Sequence, residues 1–320
     1  MLRRTFLSLG LALLTSSAAF AQAYPNRPVR IVVPFGPGGP ADIYARAVGQ
    51  HLSEALKQNF VIENKPGAGA VIGTMEAARA APDGYTLLMM SNTHTANETL
   101  LPARGYVLTS AFVPVAPVNA SDLVIVVHPS VAATTLKEFI ELARSKPDAL
   151  TYASSGNGTP YHLAGESFKS MTGTSMVHLP HRNSGDARNS VLGGHAQMMM
   201  DAVTTTAPTI AGGQVRALAT TGATRSSILP NVPTAIEAGV PGFEATIWLG
   251  LMAPAGTPQA IVDQINTEVR KFQAKPELKE AWTRQGAVAL SMTPAEFGVY
   301  LTADIAKWRK VIETGNIKAQ

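Results

Sequence analysis

The stretch Val29-Arg30-Ile31-Val32-Val33-Pro34-Phe35-Gly36-Pro37-Gly38-Gly39-Pro40-Ala41-Asp42 restricts the fold more than any other. Five mostly apolar residues run into a loop of glycine and proline. A helical pattern follows, with Ile43, Ala47, Leu52 and Leu56 close to helical spacing. Such a loop keeps side chains away and exposes backbone N–H groups, so at a helix N-terminus it suits an anion. Phe60 to Asn64 reads as a second strand, Pro66 to Ala70 as another Gly-rich turn, Ile72 to Ala81 as a helix and Tyr85 to Met90 as a third strand. Strand, helix, strand, helix, strand predicts parallel pairing with right-handed crossovers. Ligands of such sheets bind beyond the carboxyl ends of the strands. The loop Phe35 to Gly39 and the polar loop Ser91-Asn92-Thr93-His94-Thr95 are therefore expected to face one crevice.

The second half repeats the plan. The pattern breaks around Pro114 to Pro117, and Leu123 to Val127 opens a new unit. Thr135 and Glu138 form a capping box for a helix with Leu136, Phe139, Ile140 and Ala143 on one face. Thr151 to Ala153 is a short strand feeding Ser154-Ser155-Gly156-Asn157-Gly158-Thr159-Pro160, and a helix runs from there through His162 to about Met171. Met176 to Leu179 and Ala196 to Met200 are further strands, followed by His181-Arg182-Asn183-Ser184 and by Asp201. Val215 to Thr220 and Ile247 to Met252 are strands either side of a Pro/Gly-rich passage, and helices near 258–274, 276–285 and 294–313 close the chain. Two α/β units with facing loops imply a cleft. A C-terminal segment that returns to the first lobe implies two crossings and a hinge, a step taken by analogy of architecture.

The first 23 residues read as a secretory signal peptide. Arg3 and Arg4 precede a short apolar run, Phe6 to Leu14, and Ala19-Phe20-Ala21 and Ala21-Gln22-Ala23 offer cleavage sites. Arg3-Arg4-Thr5-Phe6-Leu7 also resembles a twin-arginine signal, so both the Sec and the twin-arginine routes fit. Without Arg3 and Arg4 the formal charge falls from +4 to +2. No basic cluster with interleaved aromatics points to nucleic acid. With no cysteine, thiolate catalysis, disulfides and Cys-bound metals are excluded.

Two enzyme readings compete with simple binding. Gly36-Pro37-Gly38-Gly39-Pro40-Ala41 fits the loose fingerprint G-x-G-x-x-A, with Glu63 ending the second strand. Export and the missing N–H groups of Pro37 and Pro40 oppose a dinucleotide. Ser154 or Ser155 with His162 and Asp186 or Asp201 would draw a hydrolase. The same Ser-Ser-Gly-Asn-Gly-Thr run also suits a carboxylate at a helix start, the favoured reading. The histidines lack metal-site spacing. His178 reads as core, while His94, His162 and His181 are ligand-contact candidates. Arg182 and Arg188 are candidates for a second carboxylate.

Tyr24 to Gly39, Glu63 to Gly69, Ala80-Ala81-Pro82-Asp83-Gly84-Tyr85-Thr86, Tyr152 to Thr159 with His162-Leu163-Ala164-Gly165-Glu166, and Leu251 to Pro258 together resemble the tripartite tricarboxylate transporter substrate-binding proteins, the Bug receptors. The resemblance implies a periplasmic α/β protein of the two-lobed type II binding-protein fold. Each lobe is then a mostly parallel sheet flanked by helices, with the ligand cleft between. Lobe I would hold 24–122 and about 225–320, lobe II about 123–224. It implies a monomeric, non-catalytic receptor without cofactor or metal. The receptor would close on a small di- or tricarboxylate, aromatic ones included, and pass it to a large and a small membrane subunit. One carboxylate is expected against Phe35, Gly36, Pro37, Gly38 and Gly39, with Asp42 beside them, and against Ser154, Ser155, Gly156, Asn157, Gly158 and Thr159, with His162. Ser91, Asn92, His94, His181, Arg182 and Asp201 would shape the distal end. After Leu179 the chain departs from the family pattern: it has His181-Arg182-Asn183, with Asp186 and Arg188 where Pro and Leu are common.

Overall fold

The computed structural model describes residues 24–318; the expected signal peptide lies outside them. The first unit runs β1 (Val29–Val33), α1 (Pro40–Leu56), β2 (Phe60–Asn64), α2 (Val71–Ala78), β3 (Thr86–Ser91), α3 (Asn92–Leu100), α4 (Leu108–Ala111) and β4 (Phe112–Val127). The second runs α5 (Leu136–Ser145), β5 (Thr151–Ser154), α6 (Pro160–Thr172), β6 (Val177–Pro180), α7 (Ser184–Leu192), β7 (Met198–Ala202), α8 (Val203–Ala211) and β8 (Arg216–Thr220). The chain returns with β9 (Thr246–Pro254), α9 (Gln259–Ala274), α10 (Pro276–Thr283), β10 (Ala287–Ala289) and α11 (Pro294–Thr314).

Each unit is built on three parallel strands, β2-β1-β3 and β6-β5-β7. Alternate residues of β1 serve opposite faces. Val29, Ile31 and Val33 pack with Tyr44, Val48 and Leu52 of α1, whereas Val32 packs with Leu88, Met90 and Phe297. A sheet covered on both faces needs such an unbroken apolar strand. Thr135 and Glu138 form the expected capping box and start α5.

The sheet is mixed, with its antiparallel part at the junction. β4 pairs antiparallel with β9 from Phe112 to Asp122, then with β7 and β8 from Leu123 to Val127. One 16-residue strand therefore belongs to both units. This corrects the reading of Pro114 to Pro117 as a break. The prolines are absorbed by register shifts between Pro114 and Ala116 and between Pro117 and Asn119. The carbonyls this leaves are taken by α9: Asn266 Nδ2 donates to Val115 O (2.8 Å), and Gln273 Nε2 to Pro117 O (2.9 Å) and Val118 O (2.8 Å).

Two further readings change. Ser91 to Thr95 is no loop, because α3 starts directly after β3 with Ser91 as its cap. The passage 225–245, expected with lobe I, packs Ala235, Val240, Phe243 and Ala245 into the second unit's core. Phe243 there meets Phe168 of α6 edge-on at 5.6 Å.

Gln273→Leu is expected to lower stability by about 2–4 kcal/mol, since several buried carbonyls lose their donor. Urea unfolding followed by circular dichroism measures it.

Candidate functional site

A cavity of about 1070 Å³ lies between the two units. Ile247 and Leu249 of β9 are among the residues lining it. The first unit contributes Phe35, Gly36 and Gly39 after β1, residues 66–70 after β2, and Ser91 at the end of β3. The second contributes Ser155, Gly156, Asn157 and Thr159 after β5, and His181, Arg182, Asn183 and Ser184 after β6. Every one of these loops follows the carboxyl end of a parallel strand.

Helix N-termini converge here. Gly39 before α1, Ala70 before α2 and Thr159 before α6 all line the cavity, and none caps its helix with a side chain. The Thr159 hydroxyl instead donates to Gly156 O at 2.7 Å. Uncapped N-terminal turns carry N–H groups without intrahelical acceptors and about half a positive charge each. Three of them, from both units, make an anion the natural occupant. The turn before α2 is also strained: Ala68 and Ala70 hold φ values of 47° and 74°, which cost L-residues roughly 1–3 kcal/mol each.

The units touch across the cleft where they lack side chains. A Cβ on Gly36 would stand 2.6 Å from Asn183 Cβ, and one on Gly39 would stand 2.9 Å from Ser184 Oγ. On Gly69 it would meet Asn157 O at 2.7 Å, and on Gly158 it would meet Asn97 Oδ1 at 2.6 Å.

Several expected contact residues lie behind this wall. Pro37 and Gly38 face solvent. Asp42 is buried and accepts the Gly38 N–H (3.0 Å) while pairing with Arg46 (2.8 Å), so it shapes the loop. Asn92 Nδ2 donates to Thr246 O at the start of β9 (2.9 Å). His94 is fully buried. Ser91 N–H donates to its Nδ1 (3.2 Å), and its Nε2 lies 2.9 Å from Thr74 Oγ1. The Thr74 hydroxyl donates to Ala70 O (2.7 Å), and His94 Nδ1 also lies 3.1 Å from Ser91 O. Burial pushes the ring's pKa down to about 4. Ser154 and His162 are buried inside the second unit, and Gly158 is buried against Asn97 of the first. Asp201 is buried in β7, paired with Arg188 at 2.6 Å.

The same contacts correct other expectations. Arg188 is committed to Asp201 and to Thr205 Oγ1 (2.6 Å), so it offers no free guanidinium. The sketched hydrolase does not assemble, because His162 Nδ1 accepts Gly158 N–H and Asp201 holds Arg188. Arg182, by contrast, lines the cavity and makes no ion pair among the described residues. His181 lines it too. Its Nε2 is buried without a hydrogen-bond partner among the described residues, and desolvation lowers its pKa.

The turn 66–70 was missed, although it follows β2 as the other loops follow their strands. Applying the strand-end rule to all three strands would have found it. Arg104 was also missed. It lines the cavity but is bound to Glu98 Oε1 at 2.6 Å, and nothing in its local sequence signals that position.

A family model described as "Tripartite tricarboxylate transporter family receptor" matches residues 44–317. The chain is 34% identical to Protein BugT of Bordetella pertussis, over 92% of this chain and 91% of that protein. It superposes on an R. palustris protein solved with adipate with a TM-score of 0.89 and 33% identity, covering 92% of this chain and 99% of that one. For MatC from Rhodopseudomonas palustris with bound malate the TM-score is 0.86 at 30% identity, covering 90% and 100%.

Buried histidines make the protein acid-sensitive. A pKa lowered from 6.5 to about 4 for His94, and likewise for His162, means the unfolded chain binds more protons below pH 6.5. The stability is full above pH 6.5 and is lost as pH falls towards 4, by about 3 kcal/mol per histidine. Urea midpoints at pH 7 and pH 4 are expected to differ accordingly, with His94→Gln removing one share of the fall.

Proposed function

The chain belongs to the tripartite tricarboxylate transporter receptor family, and we propose that it is a periplasmic, non-catalytic receptor that closes on a small carboxylate and delivers it to the transporter's large and small membrane subunits. The observation that carries this is the meeting of three uncapped helix N-termini, from both units, on one cavity. The adipate and malate of the two R. palustris relatives support a carboxylate, and with Arg182 they favour a ligand that carries more than one, a di- or tricarboxylate.

In this reading the carboxylate lies between Phe35, Gly36 and Gly39 on one side and Ser155, Gly156, Asn157 and Thr159 on the other. His181 and Arg182 read the far end. A Kd near 1 µM requires about −8 kcal/mol. Helix ends contribute roughly 0.3–2 kcal/mol each and charge-assisted hydrogen bonds about 1.5–3 each, so the site suffices without covalent chemistry. Lobe I takes the first unit and the returning C-terminal segment. In this reading the chain crosses between lobes at Asp122–Leu123 in β4 and just before Thr246 in β9, and residues 225–245 go with lobe II, as the packing of Val240 and Phe243 supports. The protein works as a monomer, exported through residues 1–23.

The test is thermal shift with mono-, di- and tricarboxylates. Adipate at 100 times its Kd stabilises by about 2.7 kcal/mol, a rise of roughly 5 °C, and the uncharged adipamide gives none. No shift from any carboxylate would sink the proposal.

Closure has its own test. Gly36→Ala puts a methyl 2.6 Å from Asn183 Cβ, where the two units meet. The variant is expected to bind adipate at least tenfold more weakly by calorimetry, with Asn183→Gly restoring affinity.

A further inference from the structure

Behind the cavity wall, β5, α6 and β6 bury a column of polar and aromatic side chains. The Tyr152 hydroxyl donates to Glu166 Oε1 (2.5 Å), which also takes Lys169 Nζ (2.9 Å). The Tyr152 ring stacks on His178 at 4.8 Å, and His178 faces His162 at 4.4 Å. His178 Nε2 lies 2.6 Å from Ser154 Oγ. The column ends on two backbone groups. Ser154 Oγ accepts the Gly156 N–H (3.1 Å), and His162 Nδ1 accepts the Gly158 N–H (3.2 Å).

Those glycines hold φ values of 113° and 75°, so the loop doubles back at both. Ser155, Gly156 and Asn157 line the cavity, whereas Ser154 and His162 do not. The side chains that set the loop's shape are therefore separate from those that face the ligand. We propose that Ser154 and His162, braced by His178, are positioning residues that strap the loop 154–158 into its ligand-receiving shape.

The strap to Gly158 needs a neutral ring with a bare Nδ1. His162 Nε2 is buried with no hydrogen-bond partner among the described residues, so the ring is held through its Nδ1 strap. A second proton would set N–H against N–H. The groups facing His162 are His178 of β6 and, on its own helix, Glu166 and Lys169, while Tyr152 of β5 stacks on His178. Asp201 of β7 and Arg188 of α7 lie beside Tyr161 and are paired with each other. Among the described residues Glu166 is the acidic group acting on His162, and Tyr152 and Lys169 already occupy it. Protonating His162 thus releases the loop. The strap is a property of the loop alone. Only its consequence for affinity rests on the carboxylate-receptor reading.

Amide exchange by NMR tests the strap without ligand. His162→Phe keeps a ring against His178 but has no acceptor, and the Gly158 amide is expected to exchange at least tenfold faster while strand amides stay unchanged. His162→Asn, whose Oδ1 can replace Nδ1, retains the protection. Adipate affinity follows the same order, about tenfold weaker for Phe and near wild type for Asn. Between pH 7 and pH 4 the wild type loses more affinity than the non-titrating Asn variant. Unchanged Gly158 exchange in the Phe variant, or an Asn variant that behaves like Phe, overturns the proposal. If the Phe variant does not fold, imidazole ¹⁵N spectra of the wild type decide: a bare Nδ1 on His162 at pH 7 supports the strap, and a protonated one overturns it. If wild type fails to bind adipate, the ligand reading suffers and the exchange data still judge the strap.

Discussion

The architecture depends on the pairing of β4 with β9. These two antiparallel strands link the parallel sheets of both units, and β4 is shared between them. A strand carrying Pro114 and Pro117 cannot supply a regular ladder, since each proline lacks a donor. Asn266 and Gln273, two turns apart on α9, accept that irregularity by donating to the carbonyls it leaves. The junction is thereby held by side-chain amides where the backbone ladder slips. Its position puts the strand ends of both units at one cleft.

The site follows from that placement. Parallel strands present their following helices N-terminus first, so two units facing each other bring several positive helix ends together. Glycine at Gly36, Gly39, Gly69 and Gly158 lets the backbones approach within a side chain's width. Little charge is then needed. Of the two arginines lining the cavity, Arg104 is neutralised by Glu98, which leaves Arg182 as the cation available there among the described residues.

Many polar residues with ligand-like chemistry serve the scaffold instead. His94 completes the capping box of α3, Asp42 ties its own loop, Asn92 holds β9, and Asp201 neutralises Arg188. Sequence reasoning ranked these by type and by nearness to a strand end, and both criteria were met. Accessibility separates them from Ser155, Asn157, His181 and Arg182, and one residue's difference reverses a side chain's direction along a strand and turns it by about 100° around a helix.

The sequence by itself determined the alternation of strands and helices, both β-loop-α starts at Gly39 and Thr159, the three closing helices and the family. These rest on local signals: apolar runs, Gly/Pro turns, capping boxes and ordered motifs. Tertiary structure alone decided that β4 runs through its prolines and that residues 225–245 join the second core. It also decided which histidines face the cavity. Those outcomes depend on partners distant in the chain, such as Gln273 with Pro117 and Phe243 with Phe168, and a carbonyl or ring that finds its partner across 75 to 156 residues leaves no local trace.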